Sequence, residues 1–219
     1  MIDAGYYFKH QDKLPFPELW DGGGAAYEIL MRVKPVLNAF FAGKDSNVHI
    51  GEGTVIPDCV TITGPVWIGA NVEIKSHVTI RPYSVISDGC AIGHGSEIKR
   101  TIMFGGSKVA SLSFVGDSVL GKSARVGSGV ITANRRFDQK DISIRHDGAL
   151  FAIGDSYCGV ILGDNARLGA NCVTQPGTHI GPYTWIFPQT TVRGLIPAQK
   201  RVYHPQSVVM EDHDAVELS

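Results

Sequence analysis

An isoleucine returns every sixth residue along the first half of this chain, at Ile50, Ile56, Ile62, Ile68, Ile74, Ile80, Ile86, Ile92 and Ile98. Four residues after each stands a small or β-branched side chain: Thr54, Val60, Val66, Val72, Val78, Ser84, Cys90, Ser96. The pattern predicts that both positions face inward. One hexad makes a short strand and a turn, three make a triangular coil, and coils stack through one parallel backbone ladder at about 4.8 Å spacing. A lone coil cannot bury its apolar side, so the repeat must run on. Glycine just after an aliphatic residue, as at Gly51, Gly69 and Gly93, suits corners where a side chain would obstruct the turn.

The period resumes at Leu120, Val126 and Thr132, and again at Leu162, Leu168, Thr174, Ile180, Ile186 and Val192. The expected fold is all-β, a parallel β-helix of about six coils over residues 47–202. Between Ile98 and Leu120 the phase slips by four residues, and between Thr132 and Leu162 convincing hexads are missing. Both interruptions predict external loops, near 103–116 and 133–160, and loops on a rigid scaffold often carry function. Ahead of the repeat, Ala25 to Phe41 reads as a helix with Ala26, Ile29, Val33, Leu37 and Phe40 on one face and a bend at Pro35. Residues 1–46 are therefore expected to form a short helical cap over the first coil, because an open solenoid end needs cover. Residues 203–219 read as an acidic tail with Glu211, Asp212, Asp214 and Glu217.

Composition changes this picture only by exclusion. A net charge of -1 gives no global reason to expect nucleic acid or an anionic membrane as partner. No segment reaches the roughly 18 apolar residues of a membrane span, and the N-terminus lacks a signal-peptide pattern, so the expected location is the cytoplasm. Four cysteines show no metal spacing, and no HxxxH or HxH pair is present, so no metal is expected.

Arg81 and Lys99 each follow an inward isoleucine and lie 18 residues apart, which predicts one cation stacked on the other at a single corner. Their repulsion suggests a bridging anion such as phosphate, with two solvated surface cations as the plainer reading. The basic, polar stretch Ala133 to Asp141, followed by Arg145, His146 and Asp147, is either a ligand-binding loop or a solvated excursion. Gly22, Gly23 and Gly24 before the helix are more in keeping with a hinge than a phosphate cradle. Cys90 and Cys172 fall on inward positions. Trp67 and Trp185 fall on outward ones suited to a subunit interface, and His49, His77 and His179 also point outward, as ordinary surface residues.

Two segments are more specific than the hexads. Ser107 to Gly121, reading SKVASLSFVGDSVLG, is similar to the "SKxxHLSYxGDSxxG" segment of bifunctional sugar-1-phosphate nucleotidylyltransferase/acetyltransferases of archaeal type. Gly129 to Asp138, reading GVITANRRFD, resembles the "GTITANxRFD" of the same family. The resemblance covers Ile50 to about Val202. It implies a left-handed β-helix, a homotrimer with sites between adjacent subunits, acetyl-CoA lying along the coil as acyl donor, and a sugar phosphate or sugar nucleotide as acceptor. By that resemblance Arg81, Lys99, Asn134 and Lys140 match substrate contacts.

Two positions depart from the family pattern. Ser111 stands where the family has its catalytic histidine, and Phe114 where it has a substrate-binding tyrosine. A serine is no base at neutral pH without one of its own. Three readings remain open: His94 or His146 replaces the histidine, proximity alone suffices for a neutral amine, or acyl transfer has been lost and the chain is a sugar-phosphate-binding or regulatory β-helix. Nothing in the first 46 residues supplies a nucleotidyltransferase's glycine-rich loop, so a separate nucleotidyltransferase is a possible partner.

Overall fold

Hexads three apart pair in parallel with Cα atoms in register, Ile62 opposite Ile80 and Ile68 opposite Ile86, as a coil of three six-residue repeats requires. The computed structural model describes residues 3–9, 14–20, 24–146 and 148–205. Gly22, Gly23, Asp147 and the acidic tail lie outside these. The described chain forms a left-handed parallel β-helix whose three faces hold eight, seven and seven strands. The first face contains Val48–Ile50 and Val66–Ile68, the second Glu73–Ile74 and Ala91–Ile92, the third Thr61–Ile62 and Thr79–Ile80. Inside run columns of fully buried aliphatics such as Ile68, Ile86, Met103, Leu120, Leu162 and Ile180. Each contributes about 1.5–3 kcal/mol relative to exposure.

The coils number more than seven rather than about six, because the expected loop near 103–116 is part of the β-helix. It contains the strands Ile102–Met103, Lys108–Val109 and Phe114–Gly116. Here each coil is one residue short: Ile86 pairs with Met103, Ile98 with Val115, and Met103 with Leu120. A fixed hexad ruler loses one residue at each passage of the same corner, and two losses appear as the four-residue slip. The second interruption is a true excursion, an antiparallel hairpin of Ser143–His146 and Ala149–Ala152. Gly51 and Gly93 are required by close approach. A Cβ on either would lie 2.4 Å from the backbone of the next coil, at Gly69 and Ser111.

The N-terminal segment does not cap the first coil but runs along the outside of the first face. Helix α1 is Ala4–Tyr7 and helix α2 is Glu28–Phe41, continuous through Pro35. Ile29, Leu30, Val33 and Leu37 of α2 join the outward Val85, Ile102, Val119 and Ile161 in a second apolar core, together with Ile142, Ile144 and Ile153 of the excursion. At one end Phe40 and Phe16 meet His49 and Trp67, whose rings stack at 5.4 Å. At the other, the Tyr6 hydroxyl accepts a bond from the Ala198 amide at 2.8 Å. Outward residues of this face are thus interior to the chain, and Trp67 is covered by the chain's own N-terminus. Trp185 remains 43% exposed.

His179, expected on the surface, is fully buried beneath this layer, edge-on to Tyr7 at 5.5 Å. Its Nδ1 lies 3.0 Å from the Gly177 carbonyl, while Nε2 has no hydrogen-bond partner among the described residues. Burial pushes its pKa down to about 4. The folded value lies below the unfolded one, so the associated stability is complete above about pH 6.5 and lost as pH falls from there toward 4, on the order of 3 kcal/mol. Urea unfolding at about pH 7.5 and about pH 4.5 is expected to show a smaller acid loss in His179→Met than in the wild type. Equal losses would mean that another group governs the acid limb.

Candidate active site

The third face and its two corners gather most of the sequence-marked residues. Arg81, Lys99 and Phe114 all emerge from this face, with Asn134 just past its strand Ile131–Thr132. Lys99 pairs in register with Gly116. A Cβ on Gly116 would lie 2.6 Å from the Phe114 ring and 2.8 Å from Asn134 Nδ2, so the bare glycine lets those two side chains close over one patch.

Arg81 and Lys99 are not an unpartnered pair awaiting an anion. Arg81 Nη1 lies 2.9 Å from Glu97 Oε1, and Lys99 Nζ lies 2.9 Å from Asp117 Oδ2. Their mutual repulsion is therefore answered within the protein, and the stacking rationale for a bridging phosphate falls. Asp117 is the centre of the arrangement. Only 1% exposed, it also accepts from Arg100 Nε at 2.5 Å and from Asn134 Nδ2. Arg100 in turn reaches Asp155 Oδ2 at 2.7 Å and the Tyr157 carbonyl at 2.7 Å. The two cations Lys99 and Arg100 balance the two carboxylates. Burial would raise the Asp155 carboxyl, but Arg100 holds it below its ordinary value.

This cluster sits where the coils run one residue short. Arg100 and Asp117 turn that corner with left-handed backbones, φ 42° and 51°. Their stacking ties the start and return of the excursion to the coil. Asp117, Arg100, Asp155 and Tyr157 were not singled out from sequence; the short coil was the available signal, visible as the phase slip.

The opposite corner of the third face carries Ser111. One coil before it stands His94, whose carbonyl accepts the Leu112 amide at 2.8 Å. Equivalent backbone positions of the two are thus about 4.8 Å apart. His94 Nδ1 lies 2.9 Å from Ser76 Oγ, and the ring is edge-on to His77 at 5.4 Å. His94 is exposed, and its Nε2 makes no hydrogen bond among the described residues. His146 lies elsewhere, in the hairpin whose Ile142 and Ile144 pack against the first-face layer. Within one chain it is therefore not brought to Ser111. Lys140 is exposed, and its side chain makes no bond to the Asn134 patch among the described residues.

The second face, adjoining the Ser111 corner, holds a stack of exposed cations. Lys108, Arg125 and Arg167 occupy register positions on consecutive strands, with Trp185 and Arg201 following. All of these cations are exposed, and Lys108, Arg125 and Arg167 form no ion pair among the described residues. Like charges directly opposite one another are destabilising, so this ladder fits an extended polyanion such as the phosphates of coenzyme A. It escaped the sequence reading because Lys108 and Arg125 are 17 residues apart and Arg125 and Arg167 are 42 apart.

Removing Asp117 leaves Arg100 buried without its main counter-charge. Asp117→Ala is expected to cost about 3–5 kcal/mol in denaturant unfolding and to expose residues 135–157 to limited proteolysis. A loss below about 1 kcal/mol would show that the cluster does not anchor the excursion.

A family profile described as the GMPPB C-terminal domain matches residues 62–169. The bifunctional sugar-1-phosphate nucleotidylyltransferase/acetyltransferase of Sulfurisphaera tokodaii is 36% identical over 155 residues, 63% of this chain and 39% of that one. The bifunctional protein GlmU of Methanococcus aeolicus is 30% identical over 195 residues, 88% of this chain and 47% of that one. The uncharacterized acetyltransferase YaiX of Escherichia coli O6:K15:H31 is 35% identical over 173 residues, 71% of this chain and 74% of that one. The chain thus spans less than half the length of the two bifunctional relatives. It belongs to the hexapeptide-repeat acetyltransferase family, whose β-helix also forms the C-terminal domain of the nucleotidylyltransferase/acetyltransferases.

Proposed function

We propose that the chain is a coenzyme A-dependent acetyltransferase acting on the amine of a phosphorylated or nucleotide-linked amino sugar, as a homotrimer in the cytoplasm. The observation that carries this reading is the position of His94, oriented by Ser76 one coil from Ser111. The base is displaced by one strand spacing instead of being lost. Arg81, Lys99, Phe114 and Asn134 would hold the acceptor, with Phe114 offering its ring but no hydroxyl. Lys140 would join them only by moving, or from a neighbouring subunit, and His146 would reach a site only across such an interface. Exposed Leu112 and Ile131 at this face would be covered in a trimer. No helix among the described residues is long and apolar enough to cross a membrane.

Acetyl-CoA supplies an acyl group activated as a thioester, so that an N–C bond forms to the amine as the C–S bond breaks. His94 Nε2 takes the proton the amine must lose and passes it to the departing thiolate, so that the coenzyme leaves as its thiol. Lys108, Arg125 and Arg167 would bind the coenzyme's phosphates, leaving its reactive end at the Ser111 corner. A separate nucleotidyltransferase would then use or supply the sugar phosphate. The second reading, a binding or regulatory β-helix without turnover, is favoured by one observation: the Ser111 hydroxyl has no hydrogen bond to any base among the described residues.

Thiol release from acetyl-CoA with a panel of hexosamine 1-phosphates separates the two. Turnover is expected in the wild type, falling about 10²–10⁴-fold in His94→Ala. Arg125→Ala is expected to raise the KM for acetyl-CoA about tenfold, and more at low salt, with the KM for the sugar unchanged. A silent wild type beside an active Ser111→His variant would establish the binding module.

A further inference from the structure

The excursion rejoins the β-helix through Tyr157, and Tyr157 is held more tightly than a linker needs. Its carbonyl accepts from Arg100 Nη2 at 2.7 Å, and its amide donates to Asp155 Oδ1 at 2.9 Å, while Asp155 is itself bonded to Arg100. Arg100 is 6% exposed and gives every guanidinium nitrogen to this corner. The half-buried Tyr157 ring leaves the clamp toward the third face. Lys99 Nζ lies 4.4 Å from its centroid and Arg135 Cζ 5.0 Å. Both cations lie over the ring, so its unspent group is the phenolic hydroxyl. That hydroxyl makes no hydrogen bond among the described residues.

A rigid phenol beside Lys99, which Asp117 neutralises, and Arg135, which forms no ion pair among the described residues, has an unspent donor and acceptor that suit a ligand carrying both hydroxyls and an anionic group. Phe114, across the same patch, has no hydroxyl to give. We propose that Tyr157 is a substrate-binding residue for the phosphorylated sugar, its hydroxyl bonding a sugar hydroxyl or phosphate oxygen that Lys99 and Arg135 attract. The rigid clamp means that little ordering is lost when the bond forms. This role rests on the acceptor reading given above. Were the ring only a wedge under the excursion, its hydroxyl would be dispensable.

The test is calorimetric titration of the full chain with glucosamine 1-phosphate and with inorganic phosphate, for wild type, Tyr157→Phe and Lys99→Ala. Tyr157→Phe keeps the ring over both cations, so its melting temperature should match the wild type. Its affinity for glucosamine 1-phosphate should fall about tenfold, as for one lost hydrogen bond to a charged or polar ligand. In turnover, the acceptor KM should rise by the same factor while the acetyl-CoA KM stays constant. Binding weakened by Lys99→Ala but unchanged by Tyr157→Phe would overturn the role of Tyr157 alone. A wild type that binds neither probe would remove the acceptor reading and this role together.

Discussion

In-register parallel stacking is the constraint from which the rest of this molecule follows. Each coil sets its inward side chain one strand spacing from its equivalent, about 4.8 Å, so whatever a coil carries outward meets a counterpart on the next. On the first face this makes an apolar column that α1 and α2 must cover. On the second it makes a ladder of exposed cations, Lys108, Arg125 and Arg167, with no ion pair among the described residues. On the third it brings each cation beside a carboxylate of the next coil, Arg81 with Glu97 and Lys99 with Asp117. His94 enters the Ser111 corner by the same rule, as the residue one coil away.

Where the stacking is perturbed, the protein places its buried charge. Coils one residue short leave Arg100 and Asp117 on a tightened corner, and their ion pair is sheltered there together with Asp155. A buried pair is poor evidence for stability in itself, since desolvation offsets much of the attraction. Its value here is positional. Asp117 holds Lys99 and Asn134 while Arg100 holds Tyr157, so one cluster orients both the coil side and the excursion side of the patch.

The repeat itself was legible, because an isoleucine every six residues has few structural solutions. The long excursion was legible too, as a stretch where hexads fail. Coil number was not: two one-residue deletions mimic a loop when a rigid period is laid over them. Helix α2 was visible from Ile29, Val33 and Leu37, but its place was not, since nothing local distinguishes covering an end from covering a face. The outward Val85, Ile102, Val119 and Ile161, one per coil, were the missed sign that the first face needs a partner. At the site, the pairings were not legible. Glu97 and Asp117 are distant in sequence from the cations they neutralise, and only the fold brings them together.

We propose that the Ser111 corner of this β-helix remains an acyl-transfer site with its base moved to the neighbouring coil. A crystal structure with coenzyme A and a hexosamine 1-phosphate measures that most directly. The coenzyme's sulfur is expected beside His94 and Ser111, its phosphates along Lys108, Arg125 and Arg167, and the sugar phosphate at Lys99. Coenzyme bound on another face, or with its sulfur remote from His94, would contradict it.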